Sequence, residues 1–171
     1  VKPIRVSRKY AKGERPFTRA EHIIKEALEA FSLEVKPYYK VLDLGAAPGG
    51  WTKVLAGSAK RVVAVDPAAL EPEVEKLPNV VHLRRRAEEI PNDIGLFDLA
   101  TNDMNLAPVE SAKIMVAVAP HLRKGGFAVV TVKFVTKDRK GHIEEALQIL
   151  EAQYGNFVVK RLPHNRLETT L

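Results

Sequence analysis

The residue pattern with the clearest chemical content is Val41-Leu42-Asp43-Leu44-Gly45-Ala46-Ala47-Pro48-Gly49-Gly50-Trp51, an apolar run that meets a Gly/Pro-rich turn and then helix-forming residues. Read as strand, loop and helix, it marks the place in an open α/β sheet where a ligand sits, with glycines letting backbone N–H groups come close to it. About twenty residues on, the apolar run Val62-Val63-Ala64-Val65 ends in Asp66, where this architecture sets a carboxylate on ribose hydroxyls. Loop and carboxylate together point to a nucleoside-containing cofactor.

The loop's departures from the dinucleotide fingerprint G-x-G-x-x-G narrow the choice. Gly45 and Gly50 fit it, but Ala47 stands at the second glycine. There a Cβ, and at Pro48 a ring without an N–H, replace the donors that a pyrophosphate needs. S-adenosylmethionine (SAM) has a ribose and an adenine but no phosphate, so it makes no such demand. A nicotinamide-dependent (NAD) oxidoreductase is the disfavoured alternative. The stretch Asp43–Trp51 resembles motif I of the FtsJ-like ribose 2′-O-methyltransferases. The resemblance implies that Asp43 and the loop Gly45, Ala46, Ala47, Pro48, Gly49, Gly50 and Trp51 hold the methionine end. Asp66 would hold the ribose, and the turn at Ala87-Glu88 the adenine.

That family is recognised by a Lys-Asp-Lys-Glu tetrad around the target hydroxyl. Asn102-Asp103-Met104 matches its aspartate segment, Thr131-Val132-Lys133-Phe134 its lysine strand, and Arg166-Leu167-Glu168-Thr169 its C-terminal glutamate segment. The first lysine falls to Lys25, with His22, three residues earlier on the same helical face, as the competing choice. Methylating a ribose hydroxyl requires positioning, a cation that favours the ionised oxygen, and carboxylates that orient the cation. The resemblance therefore implies Lys133 as the activating lysine, Asp103 and Glu168 as its orienting carboxylates, and Lys25 as a second cation. Asp103 would also border the cofactor. A SAM-fold domain that binds RNA without catalysis is the rival from another class.

The elements that must position these residues alternate. Strand patterns occupy 40–45, 61–65, 80–83, 95–103, 127–134, 157–162 and 168–171. Between them lie helical patterns. Thr18 is a candidate cap for the first, with Ala20, Ile24, Ala27, Leu28 and Phe31 on its apolar side; others cover 50–57, 68–77 with an interruption at Pro72, 108–122, and Ile143–Tyr154 closed by Gly155. This order predicts an α/β fold with a doubly wound, mostly parallel sheet. The resemblance adds seven strands in the Rossmann-like SAM methyltransferase arrangement, the last antiparallel and beside the fifth. We expect a basic arm over residues 1–17 and a methyltransferase domain over 18–171.

The 171 residues carry 27 Lys and Arg against 21 Asp and Glu, a net charge of +6. Lys2, Arg5, Arg8, Lys9, Lys12, Arg15 and Arg19 crowd the first nineteen residues, while Arg84-Arg85-Arg86 and Lys137, Arg139 and Lys140 follow strands. Strand ends on the loop's edge would ring the cleft with positive charge, so the expected partner is RNA, with a separate RNA-binding domain or partner to select it. The absence of cysteine leaves no thiolate metal site, and no His/Asp/Glu spacing calls for a metal. No run reaches the length of a membrane span, and a cytoplasmic protein is the default. Val1 in place of Met leaves room for a longer product.

Overall fold

The computed structural model describes residues 16–133, 139–155, 157–159 and 168–170. In chain order these form α1 (Pro16–Ala30), β1 (Lys40–Leu44), α2 (Gly50–Ala56), β2 (Arg61–Val65), α3 (Pro72–Glu75) and β3 (Val80–Leu83). A 3₁₀ turn at Ala87–Glu89 precedes β4 (Phe97–Asn102), α4 (Pro108–Val118), β5 (Leu122–Lys133), α5 (Arg139–Tyr154) and β6 (Glu168–Thr170). The sheet order is β3-β2-β1-β4-β5-β6. The first five strands are parallel, and β6 runs antiparallel to β5. The chain order reverses on either side of β1, which places a crevice above the carboxyl ends of β1 and β4.

Alternation along the strands sorts side chains onto two helical layers. Leu42, Leu44, Val63, Val65, Val130 and Val132 pack with Ala112, Met115 and Val118 of α4 and Ala146 and Leu150 of α5. On the other face, Val41, Val62, Leu99 and Val129 pack with Ile23, Ile24 and Ala27 of α1 and Trp51 and Leu55 of α2. Continuous apolar strands follow from burial on both sides. The α1/α2 face turns polar toward its carboxyl end, where it carries Asp43, Thr101 and Thr131, all buried.

Several boundaries differ from the sequence reading. Pro16 opens α1, so Thr18 lies inside the first turn rather than capping it. Pro72 likewise starts α3 instead of interrupting a longer helix, since its missing N–H and fixed φ suit a first helical position. The expected strand at 157–162 is not formed at 157–159, and its remainder lies outside the described residues. Among the described residues the sheet therefore has five parallel strands and one short antiparallel strand, six rather than seven. β5 begins at Leu122 and not at the expected 127, so Lys124-Gly125-Gly126 lies within it, at an irregularity where pairing jumps from Phe97↔Leu122 to Leu99↔Phe127. Gly126 permits this, because a Cβ there would fall 2.9 Å from the Arg123 carbonyl oxygen and 3.0 Å from that of Asp98.

Candidate active site

A cleft of about 570 Å³ opens above the carboxyl ends of the strands, and the loop between β1 and α2 forms one wall. Gly45, with φ +71°, is fixed by both backbone and space: a Cβ would lie 2.9 Å from the Met104 nitrogen and 3.0 Å from its Cα. Its N–H donates to the Val65 carbonyl at 3.0 Å, tying the loop to β2. The Ala47 N–H donates to Asp66 Oδ2 at 3.1 Å, and the Ala68 N–H to Asp66 Oδ1 at 2.8 Å. A loop amide that a dinucleotide loop would turn on phosphate is thus taken by a carboxylate, whose charge repels a pyrophosphate. Each Asp66 oxygen keeps lone-pair capacity for a hydroxyl donor such as those of a ribose.

Asp43 does not line the cleft. It is fully buried beneath the loop, where Thr52 Oγ1 donates to Oδ2 at 2.6 Å and Thr101 Oγ1 to Oδ1 at 2.7 Å. Burial pushes its carboxyl up to about 7 against the pull of these two hydroxyls, and the charges of Asp103 and Asp66 push the same way. It joins β1, β4 and α2 under the loop, so the structure places it behind the cleft wall and not at its surface, where the sequence reading expected it.

The loop residues Gly45, Ala46, Ala47, Pro48, Gly50 and Trp51 border the cleft, as do Asp66, Ala87 and Glu88. Gly49 stays behind, held by φ +116° against Val74, where a Cβ would meet side-chain atoms at 3.1 Å. Trp51 is only 2 % exposed, packed in the α1/α2 core, yet it borders the cleft. Its indole N–H is buried without a hydrogen-bond partner among the described residues. A ligand acceptor would satisfy that donor, since a buried unpaired donor costs roughly 1–3 kcal/mol.

At the far end of the cleft, Lys133 Nζ donates to the Asp103 carbonyl oxygen at 2.8 Å and lies 3.3 Å from Asp103 Oδ1. Strand alternation puts Lys133 on the face opposite Val132, which packs toward α4 and α5. Asp103 is fixed by its own N–H to the Leu44 carbonyl at 3.2 Å. Asn102 locks the turn, its Nδ2 donating to Ser111 Oγ at 3.0 Å and its Oδ1 accepting the Met104 N–H at 3.0 Å. Burial pushes the Asp103 carboxyl above its usual range, while the Lys133 ammonium, the Thr131 hydroxyl and the charge of Arg19 pull it down. β6 sets Glu168 directly across from Lys133 in register.

Lys25 is not brought to this end. Its side chain is 58 % exposed and lies 3.9 Å from Glu21 Oε2, while Glu21 Oε1 pairs with Lys53 of α2 at 3.4 Å. Among the described residues Ala20 is the one of α1 that borders the cleft, and a residue five positions on is turned about 140° away from it. His22 does not border the cleft either. Arg19, counted in the sequence only among the basic residues near the start of the chain, is the α1 cation whose charge acts on Asp103.

Arg85 and Arg86 line the cleft beside Glu88, and Arg84 instead pairs with Glu75 at 3.1 Å. The arm through residue 15 and Lys137 lie outside the described residues. Among the described residues no group of three or more His, Asp or Glu could hold a metal ion, and no described helix is long and apolar enough to cross a membrane.

Known proteins agree with this architecture. The family described as FtsJ-like methyltransferase matches residues 17–166. The protein named "Uncharacterized protein MJ1257" of Methanocaldococcus jannaschii is 34% identical over 160 residues, covering 91% of this chain and 45% of its own length. Ribosomal RNA large subunit methyltransferase M of Laribacter hongkongensis is 33% identical over 162 residues, covering 85% of this chain and 44% of its own. The chain thus spans less than half the length of these curated relatives. Fibrillarin of Aeropyrum pernix, solved with natively bound S-adenosyl-L-methionine, shares the fold at a TM-score of 0.71 and 19% identity, over 90% of this chain and 75% of that one. With a cleft at the sheet's reversal point and a family match that runs from α1 past α5, the chain belongs to the FtsJ-like methyltransferases.

Proposed function

We propose that this protein is a SAM-dependent RNA 2′-O-ribose methyltransferase acting on ribosomal or other structured RNA. The observation that carries the reading is the Lys133–Asp103 pair, set on backbone hydrogen bonds at one end of a cleft whose other end offers Asp66 and the unpaired Trp51 N–H. The named relative from Laribacter hongkongensis, a ribosomal RNA methyltransferase, supports RNA as the substrate class.

Asp66 would hold the ribose of the cofactor, the turn at Ala87-Glu88 would face its adenine, and the loop over Asp43 would hold the methionine end. Bound there, SAM supplies an electrophilic methyl group. Lys133 places an ammonium beside the target hydroxyl, which lowers the cost of charge developing on that oxygen. Asp103 orients Lys133 through its carbonyl and its carboxylate together, and Glu168 is the second orienting carboxylate by register. Arg19 replaces Lys25 as the cation from α1. Arg85, Arg86 and the basic arm would contact RNA phosphates at the cleft mouth. A separate RNA-binding domain or partner would choose the site, and a cytoplasmic location goes with such a substrate.

Incubation with tritiated SAM and bulk ribosomal RNA tests the reading. Label in RNA is expected, and it should disappear with Lys133→Ala. RNA binding without label would favour the non-catalytic alternative. NAD use is disfavoured by the Ala47 amide turned on Asp66.

A further inference from the structure

The edge of the sheet opposite the cleft carries a charge pattern that methyl transfer does not use. At the amino ends of the parallel strands, Lys40 of β1 lies in register beside Arg61 of β2, with Lys60 adjacent in sequence. Lys124 sits at the irregular start of β5, and all four side chains are exposed. None of the four side chains forms an ion pair within 4.0 Å among the described residues, although the Lys40 backbone N–H donates to Asp98 Oδ2 at 2.8 Å, whereas Arg123 pairs with Asp98 and Lys36 with Glu34. From Arg61 across β1 and β4 to Lys124 is three strand spacings, roughly 14 Å, enough for several phosphates of a nucleic-acid strand. Like charges side by side on neighbouring strands repel, a cost that an anionic partner reverses.

An aromatic ring accompanies the cations. Tyr38 is 67 % exposed, and its ring is braced edge-to-face on Tyr39 with centroids 5.2 Å apart. The Tyr39 carbonyl accepts the N–H groups of Lys60 at 2.9 Å and Arg61 at 3.3 Å, which fixes this turn beside the basic row. Exposed aromatic rings next to backbone-neutralising cations are how single-stranded nucleic acid is held without sequence readout.

We propose that this edge is a second RNA-binding surface, in which Lys40, Lys60, Arg61 and Lys124 contact phosphates and Tyr38 stacks on an unpaired base. The proposal rests on the RNA reading above and adds a consequence. The edge and the cleft lie at opposite ends of β1, about 17 Å apart along a five-residue strand. An RNA touching both is long or folded, and this contact adds affinity rather than chemistry.

The test is fluorescence anisotropy of a labelled ribosomal RNA fragment with an unpaired loop, titrated at several salt concentrations. Wild type is compared with Lys40→Glu/Arg61→Glu and with Tyr38→Ala, and SAM calorimetry verifies that each variant keeps its cleft. The double variant should lower the slope of log affinity against log salt by about two, one for each lost phosphate contact. Tyr38→Ala should weaken binding about tenfold with the slope unchanged, as expected for a stacking contact. Unaltered affinity and slope in both, with wild type binding and methylating RNA, would overturn this inference alone. Failure of wild type to bind RNA would overturn it together with the proposed function. Retention on anionic phospholipid vesicles that the double variant loses, with no change in RNA slope, would assign the edge to membranes and overturn it too.

Discussion

The two ends of the cleft are built differently. At the cofactor end, position comes from backbone: Gly45 and Gly49 at positive φ, loop amides on the Val65 carbonyl and the Asp66 carboxylate, and a buried Asp43 beneath. At the end we propose as the reacting one, Lys133 of β5 meets Asp103 just after β4, with Arg19 of α1 close enough to act on it by charge and β6 in register beside Lys133, and the key pair is an ammonium that reads both the carbonyl and the carboxylate of Asp103. Sequence-local geometry governs the first end and tertiary docking the second. Changes at the cofactor end should therefore act on binding and stability, and changes at the reacting end on rate.

The largest separation is expected from Lys133→Ala. We expect single-turnover methyl transfer to fall at least about 10²-fold, the scale for losing a positioned electrostatic group, with SAM affinity preserved. Rapid-quench kinetics alongside calorimetry would show the split, and near-normal turnover would make Lys133 an ordinary surface lysine.

Asp66→Ala should do the opposite. Losing charge-assisted hydrogen bonds to ribose should weaken SAM by about 1.5–3 kcal/mol, or tenfold or more, with saturated turnover little altered. Part of the loss comes from freeing the Ala47 N–H, so Asp66→Asn, which keeps one acceptor, should recover some affinity.

Asp43 gives a pH signature at the cofactor end. Its folded carboxyl titrates at about 7, against 3.8 when unperturbed. The folded state therefore holds a proton that the unfolded chain releases, and this stabilising contribution is present below 3.8 and lost as pH rises through about 7. Asn cannot titrate. In urea unfolding, the stability difference between wild type and Asp43→Asn should shift in favour of the variant between pH 5 and pH 8, by on the order of 2 kcal/mol. Parallel profiles would mean that Asp43 stays ionised.

The smallest rate effects distinguish two cations on α1. Arg19→Gln should slow methyl transfer about tenfold. It should also move the acidic limb of the rate profile to higher pH, because one of the charges pulling the Asp103 carboxyl down is gone. Lys25→Ala should stay within about twofold, as exposed ion pairs contribute little. A larger loss at Lys25 than at Arg19 would restore the original assignment of the first tetrad cation.

What could be read from the sequence follows the same division. The strands at 61–65 and 80–83, the Gly45–Gly50 loop and Asp66 were legible because periodicity, glycine and turn chemistry act within a few residues. That Lys133 stands on the cleft side of its strand was legible from strand alternation. The sequence reading weighed Lys25 against His22 and did not consider Arg19, since which α1 residue faces Asp103 depends on how α1 is rotated against the sheet, and Pro16 moved the helix start. Asp43 read as a ligand contact because burial by Thr52 and Thr101 joins residues from three elements. The basic edge was missed because Lys40, Lys60, Arg61 and Lys124 become neighbours only through parallel pairing.

The central claim is most directly tested by methylating ribosomal RNA with the wild-type protein and SAM, digesting the product to nucleosides, and identifying the modified nucleoside by mass spectrometry. The account predicts a nucleoside with its added methyl on the ribose 2′ oxygen, absent when Lys133→Ala is used. A methyl group on a base, or a ribose-methylated product made equally well by Lys133→Ala, would contradict it.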